Sequence, residues 1–325
     1  MGVVTSGQIA TRPFRLEYRG TLEDLVAQAN RDKYVSSSAK DKPGWGSSLD
    51  EPAAVGLPPV VKFTVHDPLI LEADDGLPRR LRLRYYWETA DSTARRRFGT
   101  NASWNDISIL QAADLLLYEE RPGICTGLAT AREKTQFRMA VAALRALAKS
   151  VDDRVQLRVE THGHELSEDF FLWLFYRFQT SATLGKALVI NAIHELSSQD
   201  RQFRNAKFSK EATIDRIELA ALIALGKAAF GPAKTGITST APDALFEVEL
   251  HTDGGFQPFR TTHYENLALD SAALGPKMID DIWIKVLPAL RKLHRDDAAW
   301  NANGRVSLHN LALEQVKTLL NLRAN

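Results

Sequence analysis

Of 325 residues only one, Cys125, is a cysteine, and this limits the architecture more than any other single feature. One thiol excludes an internal disulfide framework and every zinc site built on two or more thiolates. The chain must therefore be held together by apolar packing. No single segment supplies that packing: the longest apolar run, Phe170 to Tyr176, is seven residues, against the roughly 20 needed to cross a bilayer. The N-terminal stretch MGVVTSGQIATRPFRLEYRG has no signal-peptide core. A cytoplasmic protein without a membrane partner is expected.

Patterning predicts an α+β fold, with a helix-rich core and short antiparallel strands and hairpins, mainly in the N-terminal third and near 245–263. FRLEYR (14–19) alternates as a strand does, and Thr21 is placed to cap a helix through LEDLVAQANRDKY. Residues 35–58, rich in Ser, Gly and Pro, read as a flexible loop. PVVKFTV (59–65), PLILEA (68–73) and RRLRLRYYWE (79–88) read as strands, the last two forming a hairpin around DDGLP. Beyond them, helical spacing predicts helices over 105–120 and 183–196. A capping box of Thr130 and Glu133 predicts a helix running to about Ser150.

A strand is expected at 154–161, and Ser167 is positioned to cap a helix through FFLWLFYRF. Ser209 would cap another through IDRIELAALIALGKAAF, apolar nearly all round and so placed centrally in the core. The two strand-like runs flanking Asp253-Gly254-Gly255 predict a hairpin over 245–263, because glycine tolerates the positive φ of a tight turn. A helix from Pro276 to His294 should kink at Pro288, and a last helix starts at Ser307. These elements suggest a strand-rich part over 1–125 and a mostly helical part over 126–325.

Charge is segregated. Lys and Arg total 41 and Asp and Glu total 40, which excludes a uniformly basic nucleic-acid coater. Yet residues 79–97 carry a local balance of +5, while 151–169 and 241–255 each carry −4. On the 79–88 strand, Leu81, Leu83, Tyr85 and Trp87 share one face, and Arg80, Arg82 and Arg84 share the other. Arg95, Arg96 and Arg97 follow. On the helix after Thr130, the residues Lys134, Arg138, Arg145 and Lys149 fall within a sector of about 60°. Rows of guanidinium and ammonium groups suit phosphate backbones, although each row taken alone also reads as a solvated face.

Metal chemistry is the second reading. Glu160, His162 and His164 alternate on a strand, with Glu168 just beyond, and two imidazoles with a carboxylate suit a divalent metal. His162, His164 and Glu168 are the candidate ligands. Glu249 and His251 repeat the E-x-H pattern of Glu160 and His162, making these four the candidate catalytic residues of a metal-dependent enzyme such as a nuclease. The pattern differs from the nuclease E-x-K in having histidine at the lysine position. No phosphate-binding loop, G-x-G-x-x-G fingerprint or G-x-S-x-G elbow is present. Three functions are therefore carried forward: binding of nucleic acid or another polyanion, metal-dependent catalysis, and service as a non-enzymatic subunit of a larger assembly with a protein partner.

Overall fold

A computed structural model describes residues 10–35, 40, 42–46, 67–99, 103–131, 134–159, 164–200, 205–226, 228–259, 261–267 and 271–324. The chain divides into two compact units, residues 1–163 with 269–276 and residues 164–268 with 277–325.

The first unit contains β1 (Ala10–Glu17), α1 (Leu22–Arg31), β2 (Gly44–Gly46), β3 (Leu69–Leu71), β4 (Arg80–Ala90), α2 (Ser92–Phe98), α3 (Trp104–Ile107), β5 (Ser108–Arg121), β6 (Ile124–Ala131), α4 (Lys134–Lys149) and β7 (Gln156–Arg158). All pairings described here are antiparallel. β1 pairs β6 along its whole length and β7 over Arg15–Glu17; β6 pairs β5, β5 pairs β4, and β4 carries β2 and β3 on its far edge. Strand alternation turns Phe14, Leu16, Leu83, Leu115 and Ala129 to one face. There they pack with Leu25 of α1 and with Phe137 and Leu144 of α4. Phe14 lies directly opposite Gly127, where a Cβ would stand 2.3 Å from the ring. Only a residue without a side chain lets that ring lie on the neighbouring strand.

The second unit contains α5 (Glu168–Thr180), β8 (Thr183–Leu184), β9 (Leu188–Asp200), β10 (Asn205–Ser209), α6 (Ile217–Leu225), β11 (Ala228–Thr240), β12 (Asp243–Leu250), β13 (Phe256–Pro258), β14 (His263–Tyr264), the later part of α7 (Ser271–Asp281, of which residues 271–276 count with the first unit), α8 (Leu287–Asp296) and α9 (Arg305–Ala324). Its strands run β10–β9–β11–β12–β13, again antiparallel. The aromatic run of α5 buries Phe170, Phe171, Trp173, Leu174 and Phe175.

The expected helix-rich core is corrected: long antiparallel strands dominate. β4, β5, β9 and β11 span 11, 14, 13 and 13 residues. The segments expected as helices over 105–120 and 183–196 are mainly β5 and β9. Ala112 to Tyr118 are buried at every position, and a strand buried on both faces has no alternation to distinguish it from a helix.

Thr130 caps no helix. It lies within β6, where its hydroxyl accepts from the Asp114 N–H at 3.0 Å, and α4 starts only at Lys134. Ser209 ends β10, and α6 begins at Ile217; Leu225 on that helix is 61% exposed, so α6 is no central core helix. Within the expected 35–58 loop, Gly44–Gly46 pairs with β4 and Trp45 is buried. The break before Pro288 takes the form of a π-helical turn, Ile282–Val286, which lets the helix continue where proline offers no N–H.

Other expectations agree with the structure. Thr21 and Asp24 form a reciprocal capping box, Ser167 caps α5, β3 and β4 pair around Asp74–Leu77, and β12 pairs β13 around Asp253–Gly255. The 59–65 segment lies outside the described residues. Among the described residues, no helix is long and apolar enough to cross a membrane.

Candidate functional site

The arginine row expected on the outer face of β4 is not solvent-facing. Arg80, Arg82 and Arg84 are only 8%, 7% and 2% exposed. Arg84 is clamped by Asp114 on β5, with Nε–Oδ1 at 2.6 Å and Nη2–Oδ2 at 3.2 Å. Burial disfavours the charge on Arg84, but the adjacent Asp114 carboxylate more than offsets this and holds the guanidinium above its ordinary range. Arg80 donates to the carbonyls of Glu72 and Pro78. These side chains are occupied internally, and a phosphate would have to displace structural partners to reach them. Arg95, Arg96 and Arg97 lie in the short helix α2, and all three are exposed.

The α4 stripe is different. Lys134, Arg138, Arg145 and Lys149 are exposed along one side of a helix whose opposite side, Phe137, Val141 and Leu144, enters the core. A groove of about 430 Å³ runs beside it, lined by Arg12, Lys134, Phe137, Arg138, Val141, Ala142, Arg145 and Val159. Of these eight described lining residues four are cationic and none is acidic. Arg12 reaches the groove because β1 alternates: residues 10, 12, 14 and 16 face the helix side, and Arg12 lies beyond Phe14, where its guanidinium sits 5.7 Å from the Phe137 ring centroid. Arg145 also donates to the Leu157 carbonyl at 3.0 Å, which fixes its direction. The sequence pattern identifies three of these cations. Arg12 is missed, since nothing in sequence links position 12 to position 137.

The metal-ligand candidates divide. Glu160 and His162 lie outside the described residues. Glu168 is exposed on the first turn of α5. The His164 backbone packs against the His251–Gly255 turn: the Leu166 N–H donates to the Thr252 carbonyl, and a Cβ on Gly254 would clash with the His164 carbonyl. Two segments that sequence could not connect are thus neighbours. Their surroundings are aromatic and cationic, however. The His164 ring lies 4.9 Å from Trp283, its carbonyl accepts from Arg291, and burial pulls the Arg291 guanidinium down to about 10. A buried cation held against the His164 backbone and the Trp283 ring opposes a metal ion nearby. Glu249 sits mid-ladder opposite Lys234 and Gln257. His194 hydrogen-bonds Glu247 at 3.0 Å. Among the described residues, no group of three His, Cys, Asp or Glu side chains is arranged to hold a metal ion.

A polar cluster in the second unit was not foreseen. Asp169 accepts from His294 at 3.0 Å, Trp300 Nε1 at 3.2 Å and Arg305 at 2.6 Å. Asp297 accepts from Trp173 Nε1 at 2.7 Å, Arg177 at 2.6 Å and the Trp300 N–H at 3.0 Å. Burial opposes both charges, but the donors prevail and hold both carboxyls below the ordinary aspartate range. From sequence, Asp169 looks like a helix-dipole residue only, and partners more than 120 positions away leave no local signal. With each carboxylate oxygen accepting at least one bond, the cluster ties α5 to the C-terminal helices, and Trp173, Arg177 and Asp297 also line a cavity of about 380 Å³.

Against this geometry, comparisons with known proteins add no name: no protein-family model matches the chain, and a search of curated proteins gives no significant match.

Proposed function

We propose that the first unit binds a polyanion, nucleic acid foremost, in the groove beside α4. One observation carries this reading. Arg12, Lys134, Arg138 and Arg145 converge on a single groove with no carboxylate among its described lining residues. Four like charges on one groove repel one another and are neutralised when a phosphate chain is bound. Among the described residues, neither Lys134 nor Arg138 forms an ion pair, whereas Arg145 already donates to the Leu157 carbonyl.

The test is fluorescence anisotropy with labelled DNA and RNA, comparing the wild-type protein with Lys134→Glu/Arg138→Glu. Both substitutions lie on the exposed side of α4, and circular dichroism would verify that the fold is intact. Wild-type binding should weaken steeply with salt, and the variant should bind at least about tenfold more weakly at low salt. Absence of binding, or a variant that binds as wild type does, refutes the proposal.

A further inference from the structure

We propose that the first unit carries a second anion site, separate from the α4 groove, which takes the phosphoryl group of a small molecule between Arg19, Arg121 and Arg154. These three arginines line one cavity of about 570 Å³, and no described residue lines both this cavity and the groove. They are far apart in sequence and are gathered by strand register. One rung of the sheet runs from Arg121 through Ile124 and Glu17 to Gln156. Arg19 and Arg154 lie two residues beyond that rung on antiparallel neighbours, so both stand off the same end of the sheet, where β5 ends at Arg121.

The backbone fixes all three anchors. The Asp152 carboxylate accepts from the Arg19 N–H at 2.8 Å and from the Arg154 N–H at 3.1 Å, which holds those two segments together. The turn after Arg121 is fastened to the end of β1, where the Tyr18 N–H donates to the Gly123 carbonyl at 2.9 Å. Gly123 takes a φ of +78°, and a Cβ there would stand 2.3 Å from the Tyr18 carbonyl oxygen, so only glycine permits this approach. The guanidiniums take no part in this fastening. All three side chains are exposed and, among the described residues, none forms an ion pair or a side-chain hydrogen bond. The two carboxylates lining the cavity are already engaged, Asp152 by those backbone bonds and Glu17 by Arg15 Nε at 3.0 Å. Fixed anchors with unengaged heads leave little ordering to be done on binding. A terminal phosphoryl group offers three acceptor oxygens and nearly two negative charges, one oxygen for each of three guanidinium forks, whereas a carboxylate offers two oxygens and one charge. The cavity also falls within the range of small-molecule sites, about 300–1,000 Å³.

The test is calorimetric titration of the full chain with inorganic pyrophosphate and, separately, with citrate, whose charges are spread over three carboxylates. Pyrophosphate should bind, and citrate should bind at least about tenfold more weakly, since the loss of one charge-assisted hydrogen bond already has that size. Arg19→Ala/Arg154→Ala keeps both backbone bonds to Asp152, and Arg121→Ala leaves the Gly123 turn in place. Each variant should lose at least about tenfold in pyrophosphate affinity while its unfolding temperature stays near that of wild type. Citrate binding as tight as pyrophosphate overturns the assignment to a phosphoryl group. Absence of pyrophosphate binding, or binding unchanged in both arginine variants, overturns the site itself. Loss of binding in Lys134→Glu/Arg138→Glu, with normal binding in Arg19→Ala/Arg154→Ala, would move the anion to the α4 groove; this proposal would then fall while the groove reading stands.

Discussion

The Arg84–Asp114 pair gives the sharpest test of how the first unit is held. Both side chains are 2% exposed and meet through two hydrogen bonds. Asp114→Asn keeps the shape but leaves a guanidinium with no counter-charge in a region water does not reach. At an effective dielectric near 20, two charges about 4 Å apart attract by about 4 kcal/mol, and breaking buried pairs elsewhere costs about 3–5 kcal/mol. A loss of about 3 kcal/mol is therefore expected. The backbone bond from the Asp114 N–H to Thr130 remains in the variant, so register is kept and the loss is electrostatic. Urea unfolding followed by tryptophan fluorescence should show the midpoint falling by about 1 M or more, given a slope of about 1–3 kcal/mol per M. The double substitution Arg84→Met/Asp114→Leu removes both charges and should recover most of the loss, because two desolvation penalties vanish together. A midpoint for Asp114→Asn within about 0.3 M of wild type would refute the reasoning. So would a double variant no more stable than either single one.

Two further outcomes follow from packing and charge. Gly127→Ala places a Cβ against the Phe14 ring, which is fully buried and cannot swing away. It should cost about 1–3 kcal/mol, and Phe14→Leu in the same chain should relieve part of it in a double-mutant cycle. For Asp169 and Asp297, the folded-state carboxyls lie below the ordinary value of 3.8. Their contribution to stability is therefore present above that value and lost as pH falls through the lowered folded values. Asp297→Asn should lower the unfolding midpoint at neutral pH, with the gap to wild type closing as pH falls below the ordinary aspartate value and through the lowered folded one. A gap that stays constant across that range would show that the carboxylate charge is not what matters.

Features governed by neighbours in sequence were legible. The caps at Thr21 and Ser167, the turns at Asp74–Leu77 and Asp253–Gly255, and the buried face of β4 all depend on residues within a few positions of one another. The charge stripe of α4 was legible for the same reason, since helical geometry fixes which residues share a side.

Tertiary structure decided the rest. β5 and β9 carry helix-compatible spacing and became strands because each lies between two strand partners. Such partners satisfy the backbone hydrogen-bonding groups; in β5, burial on both faces also removes the polar face that periodicity depends on, whereas β9 keeps Asn191 and Gln199 exposed. Likewise, alternation correctly placed Arg80, Arg82 and Arg84 on one face of β4, but only the fold set Asp114 opposite Arg84 and buried the row. Only the fold, too, brought Arg12 to Phe137. Local sequence determines which way a side chain points; what it meets there is set by segments distant in the chain, 30 residues for Arg84 and Asp114 and 125 for Arg12 and Phe137.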